Sequence, residues 1–153
     1  VPSEIPRRAR RFRISEVDAC EPDVLETLKD LHMRTFLDRA PLPDFEVGHW
    51  WVTTELDQPV AFAGIIPSVM GIGIGYLSRV GVVRELCGHG LQRRVMRAIE
   101  QHARRSGLYC IVSDTTSNIA SANNFIRRGY VLFQPDRPWA WGNTLYWRKM
   151  IGR

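Results

Sequence analysis

A change of period in the middle of the chain limits its possible folds more than any other feature. From Tyr76 to Val83 the sequence reads as a strand with two alternating faces. From Gly90 to Ser106 the apolar positions Leu91, Val95, Ala98, Ile99 and His102 or Ala103 follow helical spacing, while Arg93, Arg94, Arg97 and Arg104 fill other positions. Between the two lies Cys87-Gly88-His89-Gly90. A strand that turns directly into a helix aims the helix's unpaired first N–H groups at the turn. Those amides, with a dipole worth roughly half a positive charge, suit a phosphate or pyrophosphate. Gly88 and Gly90 would let the backbone approach such a ligand closely, although glycine also serves ordinary turns.

Other phosphate motifs are absent. No GxxxxGK[ST] occurs, and Gly88-His89-Gly90 runs into Leu91-Gln92-Arg93 without the third glycine of a dinucleotide fingerprint. Gly71-Ile72-Gly73-Ile74-Gly75 precedes a strand, not a helix.

The flanking sequence fills in the remaining elements. Arg11 to Ile14 reads as a first strand, and Pro22 to about Leu37 as an amphipathic helix with Leu25, Leu28, Leu31 or His32, and Phe36 on one face. Asp38 to Gly48, with Pro41 and Pro43, reads as a loop or short helix. Trp50 to Glu55 and Val60 to Ile66 form a hairpin about Leu56-Asp57-Gln58-Pro59. After the glycine turn and its helix, Gly107 ends the helix. Leu108 to Asp114 is a strand, Asn118 to Arg128 a helix, and Tyr130 to Phe133 and Leu145 to Met150 are strands. The order β-α-β-β-β-α-β-α-β-β predicts an α/β or α+β domain of about seven strands and three or four helices.

At 153 residues and 44% hydrophobic content, one domain over 11–153 behind a basic lead, 1–10, accounts for the chain. The net charge of +5 rests on arginine, since Lys29 and Lys149 are the only lysines. The lead holds Arg7, Arg8 and Arg10, followed by Arg11 and Arg13, and reads as a solvated tail. Without an RNA-binding or zinc-finger pattern, nucleic acid is not the expected partner. No stretch has the length and apolarity of a membrane helix, and no export signal is visible, so the cytoplasm is the expected compartment. Cys20, Cys87 and Cys110 have no pairing pattern, and His49 and His89 have no partner at ligand spacing, so no metal is expected.

Two segments together resemble the GNAT-type N-acetyltransferases. Val82-Val83-Arg84-Glu85-Leu86-Cys87-Gly88-His89-Gly90-Leu91-Gln92 is similar to the family's V-x-P-x-x-R-G-x-G-x-G/A. Asn118-Ile119-Ala120-Ser121-Ala122-Asn123-Asn124-Phe125-Ile126-Arg127-Arg128-Gly129-Tyr130 is similar to N-x-x-A-x-x-L-Y-x-x-x-G-F. The resemblance is good from Tyr76 to about Phe133. It implies a mixed, mostly antiparallel sheet whose two central parallel strands, Tyr76 to Val83 and Leu108 to Asp114, splay apart around an acyl-CoA. It further implies pantetheine pairing near Val82, pyrophosphate on the amides of Gly88, His89, Gly90, Leu91, Gln92 and Arg93, and Asn118 with its helix, including Phe125, beside the thiol end. The implied activity is transfer of an acetyl or other short acyl group from acyl-CoA to a small-molecule or protein amine in a ternary complex. A homodimer is the alternative to a single-chain unit.

The sequence departs from the pattern at three places. Cys87 stands where the family has Arg or Gln, and reads as a small packed residue in preference to an activated thiol. Gln92 replaces Gly or Ala and adds bulk near the phosphates. Phe125 replaces the tyrosine that protonates the leaving thiolate, with Ser121 and Asn124 as nearby polar groups. The strand often supplies a glutamate base, but here offers only Ser78 and Arg79. Asp114, at the end of the strand bordering the splay where the family pattern prefers an apolar residue, is the candidate base, although an acceptor for Thr115, Thr116 or Ser117 is the favoured reading of it. Asp44, Glu46 and Glu55 could bind a cationic substrate but read as surface carboxylates, and Trp139 and Trp141 could wall an acceptor pocket. A non-catalytic acyl-CoA-binding or protein-interaction module of the same fold is the rival function.

Overall fold

The computed structural model describes residues 10–37 and 40–152. All but Arg10 of the basic lead thus lies outside the described residues. Seven strands form one sheet in the order β1-β2-β3-β4-β5-β7-β6, where β1 is Phe12–Val17, β2 His49–Glu55, β3 Gln58–Pro67, β4 Ile74–Val82, β5 Cys110–Thr116, β6 Val131–Phe133 and β7 Thr144–Met150. Among the described residues the helices are α1 (Pro22–Thr35), α2 (Leu91–Arg105) and α3 (Ile119–Arg127), with a 3-10 turn at Arg84–Leu86. Element order and sheet type match the sequence reading. No helix forms among the described residues of the 38–48 segment.

Among the described residues only β4 and β5 run parallel, and they pair at just three positions, Ile74 with Cys110, Gly75 with Ile111 and Tyr76 with Val112. The Ser113 hydroxyl donates to the Leu77 carbonyl at 2.8 Å, closing the paired stretch. Beyond it the strands part. On its other side β4 pairs with β3 through a bulge: Gly64 faces Arg79 while Ile65 faces Leu77, leaving Ser78 as the extra residue.

The alternation of the strands builds the two larger of three buried apolar clusters. Trp51, Ala63, Ile65, Leu77, Ile111 and Trp147 face α2 and α3, meeting Val95, Met96, Ile99 and Phe125. Trp50, Val52 and Phe62 face α1, meeting Leu28 and Leu31. Each large aliphatic side chain buried this way contributes about 1.5–3 kcal/mol. A β-carbon on Gly64 would run into the Trp50 ring. Gly64→Ala is therefore expected to destabilise the fold by about 1–3 kcal/mol, measurable by urea unfolding.

One polar cluster crosses the first core. Glu100, fully buried on α2, accepts from Arg128 Nη2 at 2.6 Å and Nε at 3.2 Å and from Lys149 Nζ at 2.7 Å. It joins α2 to the end of α3 and to β7.

Candidate acyl-CoA site

The parting of β4 from β5 opens a cleft of about 840 Å³, bounded by β4, the glycine turn, the start of α2, the end of β5 and α3. Val83 N–H donates to the Val60 carbonyl at 2.9 Å. By the alternation of an antiparallel ladder, the N–H and C=O of Val82 then point away from β3, into the gap. That edge of β4 is free to pair with an extended ligand.

At the end of β4 the 3-10 turn buries Leu86 and turns the chain toward α2. Gly88 and Gly90 hold φ of +88° and +73°, left-handed conformations that side-chain-bearing residues adopt at a cost. Gly90 is the N-cap of α2 and provides no side-chain cap; the first helical bond runs from Arg94 N–H to Gly90 C=O. The amides of Leu91, Gln92 and Arg93 thus have no partner within the helix and open onto the cleft, which three arginines, Arg79, Arg93 and Arg127, also line. Its chemistry suits an anion.

Val82, Gly88, Gly90, Leu91, Gln92, Arg93, Asn118, Phe125 and Asp114 all line this one cleft. His89 does not: its ring turns back to place Nδ1 3.2 Å from the Leu86 carbonyl and meets Phe12 edge-on. Only its backbone belongs to the turn. Cys87 is exposed, contrary to the packed position expected, because Leu86 takes the buried place in the 3-10 turn. Its Sγ lies 3.6 Å from the Val83 carbonyl and 3.8 Å from that of Val82.

Gln92 reaches away from the phosphate end. Its Nε2 donates to Ser121 Oγ at 2.9 Å and its Oε1 accepts from Asn124 Nδ2 at 3.0 Å, binding α2 to α3. This interaction engages Ser121 and Asn124, the two polar groups near Phe125 that the sequence offered in place of the missing acid. Asn118 caps α3, its Oδ1 accepting from Ser121 N–H at 2.9 Å. Phe125 is 2% exposed, stacked on Trp147 and edge-on to Tyr130, and forms part of the cleft floor as a core residue.

Asp114 is the only carboxylate among the described residues lining the cleft. Its Oδ2 accepts from the Tyr76 hydroxyl at 2.5 Å and from Trp139 Nε1 at 2.8 Å. Burial and the Asp114 charge push the Tyr76 phenol well above its ordinary pKa, so Tyr76 keeps its proton and serves as a donor. Two of the three neighbouring hydroxyls expected to satisfy Asp114 are engaged elsewhere: Thr115 accepts from Trp147 Nε1 and Thr116 pairs with Thr144. Sequence reading missed Tyr76 because the parallel register of Tyr76 with Val112 is what brings it beside Asp114, two residues further along the same face. Strand alternation was the available signal.

Arg79 lies over the Phe36 ring at 5.5 Å and donates to the Ser78 and Pro41 carbonyls, pinning the segment after α1 against β4. Trp139 stands over Tyr76 and Tyr146, whereas Trp141 is 90% exposed. Asp44 closes a turn on Glu46 N–H and Glu55 pairs with Arg10, both as surface carboxylates.

The fold matches solved acetyltransferase structures. The ribosomal-protein-S18-alanine N-acetyltransferase of Escherichia coli superposes with a TM-score of 0.73 at 15% identity, covering 94% of this chain and 96% of that one. An acetyltransferase from Streptococcus agalactiae gives 0.72 at 16%, covering 91% and 98%. The PaiA N-acetyltransferase of Thermoplasma acidophilum, in complex with coenzyme A, gives 0.71 at 11%, covering 92% and 99%. No curated protein sequence matches the chain. Identities this low establish a shared fold alone, but the model of the acetyltransferase (GNAT) family matches residues 14–130, and the chain belongs to that family.

Proposed function

We propose that residues 11–153 act as one acyl-CoA-dependent N-acyltransferase unit that moves an acetyl or other short acyl group directly to a primary amine. The observation that carries the reading is the cleft itself, where a free strand edge at Val82, uncapped amides at the start of α2 and a single carboxylate, Asp114, share one space. Pantetheine pairs along β4 and the pyrophosphate sits on the amides from Gly88 to Arg93. The amine nitrogen attacks the thioester carbon, its C–N bond forms, the C–S bond breaks, and the amine's proton passes to Asp114 directly or through water. The two donors on Oδ2 orient the carboxylate. The departing thiolate takes its proton from water, because Phe125 has none to give.

Calorimetric titration with acetyl-CoA should show saturable binding, and thiol release with a panel of small and peptide amines should identify the acceptor class. Asp114→Asn keeps an oxygen for Tyr76 and Trp139 while removing the base. It is expected to lower kcat by about 10²–10⁴-fold with CoA affinity unchanged; a wild-type kcat would exclude Asp114 as the base.

The packed phenyl ring of Phe125 favours a second reading, an acyl-CoA-binding module without turnover. Saturable binding with no thiol release from any amine would establish it.

A further inference from the structure

Three side chains of metal-ligand type, none of them used in acyl transfer, converge near the far end of α2. Glu16 comes from β1, His49 opens β2, and His102 lies in the last turn of α2. Glu16 pairs in register with Trp51, two residues beyond His49, so Glu16 and His49 stand diagonally on the face that α2 covers. Glu16 Oε1 is 2.9 Å from His49 Nδ1 and 4.0 Å from His102 Nδ1, and one ligand atom from each residue lies within 4.8 Å of the others. Leu91 to His102 spans about 16 Å of helix, so the cluster is remote from the glycine turn.

The His102 ring is held from two sides. It packs edge-on against Trp51 at 5.2 Å, and its Nε2 sits 3.2 Å from Ser106 Oγ. When Nε2–H donates to that hydroxyl, the lone pair is on Nδ1, the atom facing Glu16; a bond to the outer nitrogen is what orients a metal-binding imidazole. The two imidazole centroids are 4.2 Å apart, close enough to share one ion.

We propose that Glu16, His49 and His102 form a site for a divalent transition metal, zinc being the ion that best suits two imidazoles and a carboxylate. Bonds of about 2.0–2.2 Å in a tetrahedral site put ligand atoms roughly 3.3 Å apart, and small rotations of the exposed His49 and Glu16 side chains reach that spacing. Water completes the shell. The ion would clasp the β1–β2 edge to the end of α2. The proposal does not depend on acyl transfer. His49 had no metal role in the sequence because its partners stand 33 positions before it and on a separate helix.

The test uses the untagged full chain stripped with chelator. Zinc titrated by calorimetry should bind one ion per chain and raise Tm, and cobalt(II) should give visible tetrahedral bands without thiolate charge-transfer absorption. His49→Ala, at an exposed position, should weaken zinc affinity by more than the roughly 10–100-fold that loss of an outer-shell partner costs, and Glu16→Gln should do the same. The proposal is overturned by absence of one-to-one binding, by undiminished binding in His49→Ala, or by thiolate bands that vanish in Cys20→Ser or Cys87→Ser.

Discussion

Gly90→Glu is expected to eliminate measurable acetyl-CoA binding, weakening it more than 100-fold in calorimetric titration while the chain stays folded. Gly90 borders the cleft at the first turn of α2, where the uncapped amides lie. A carboxylate there meets the pyrophosphate as a like charge. At about 5 Å and an effective dielectric near 20, each such pair costs roughly 3 kcal/mol, which alone exceeds a hundredfold. The left-handed backbone of Gly90 adds about 1–2 kcal/mol of strain for any side chain. Gly90→Ala isolates that contribution, because it carries the strain without the charge and should retain most of the affinity. Unchanged binding in Gly90→Glu would place the phosphates elsewhere.

Glu100→Ala is expected to lower the unfolding free energy by about 3 kcal/mol, with Tm falling roughly 6–12 °C for a chain of this size. Removing the carboxylate leaves Arg128 and Lys149, whose side chains are 26% and 19% exposed, facing a buried gap without their shared acceptor. Partial access to water keeps the loss near the lower end of what a broken buried pair costs. Urea unfolding followed by circular dichroism measures it. A change below about 1 kcal/mol would mean that solvent or a neighbour replaces Glu100 at no cost. Because Glu100 lies outside the cleft, acetyl-CoA affinity measured on the folded variant should stay near wild type.

Local periodicity explains why the elements and the glycine turn were legible in the sequence. Strand alternation and helical spacing act over a few residues, so Pro22, Gly90 and Gly107 marked helix boundaries with little help from the rest of the chain. The partners of those elements were not legible. Glu100 reads as one more charged helix position, yet it shares a buried stripe with Met96 and Ala103 and is matched by two cations that only the folded topology delivers. Gln92 looked like an obstruction at the phosphate turn; its orientation is decided by Ser121 and Asn124 on α3. Asp114 was visible as an unusual strand residue, but its donors, Tyr76 and Trp139, are 38 and 25 positions away. Hydrogen-bond partners at such separations depend on register, which local sequence does not encode.

The extra residue in β4 makes the length of that strand a matter of parity. Were Ser78 paired in regular alternation instead of bulged out, Tyr76 and Arg79, three apart in the chain, would occupy opposite sides of the sheet. With the bulge, one phenol steadies Asp114 while one guanidinium holds the segment after α1, both on the same side. Substitution can change what those groups do, but only insertion or deletion can change where they look. The spacing between Tyr76 and the glycine turn is thereby as much a part of the cleft as any side chain in it.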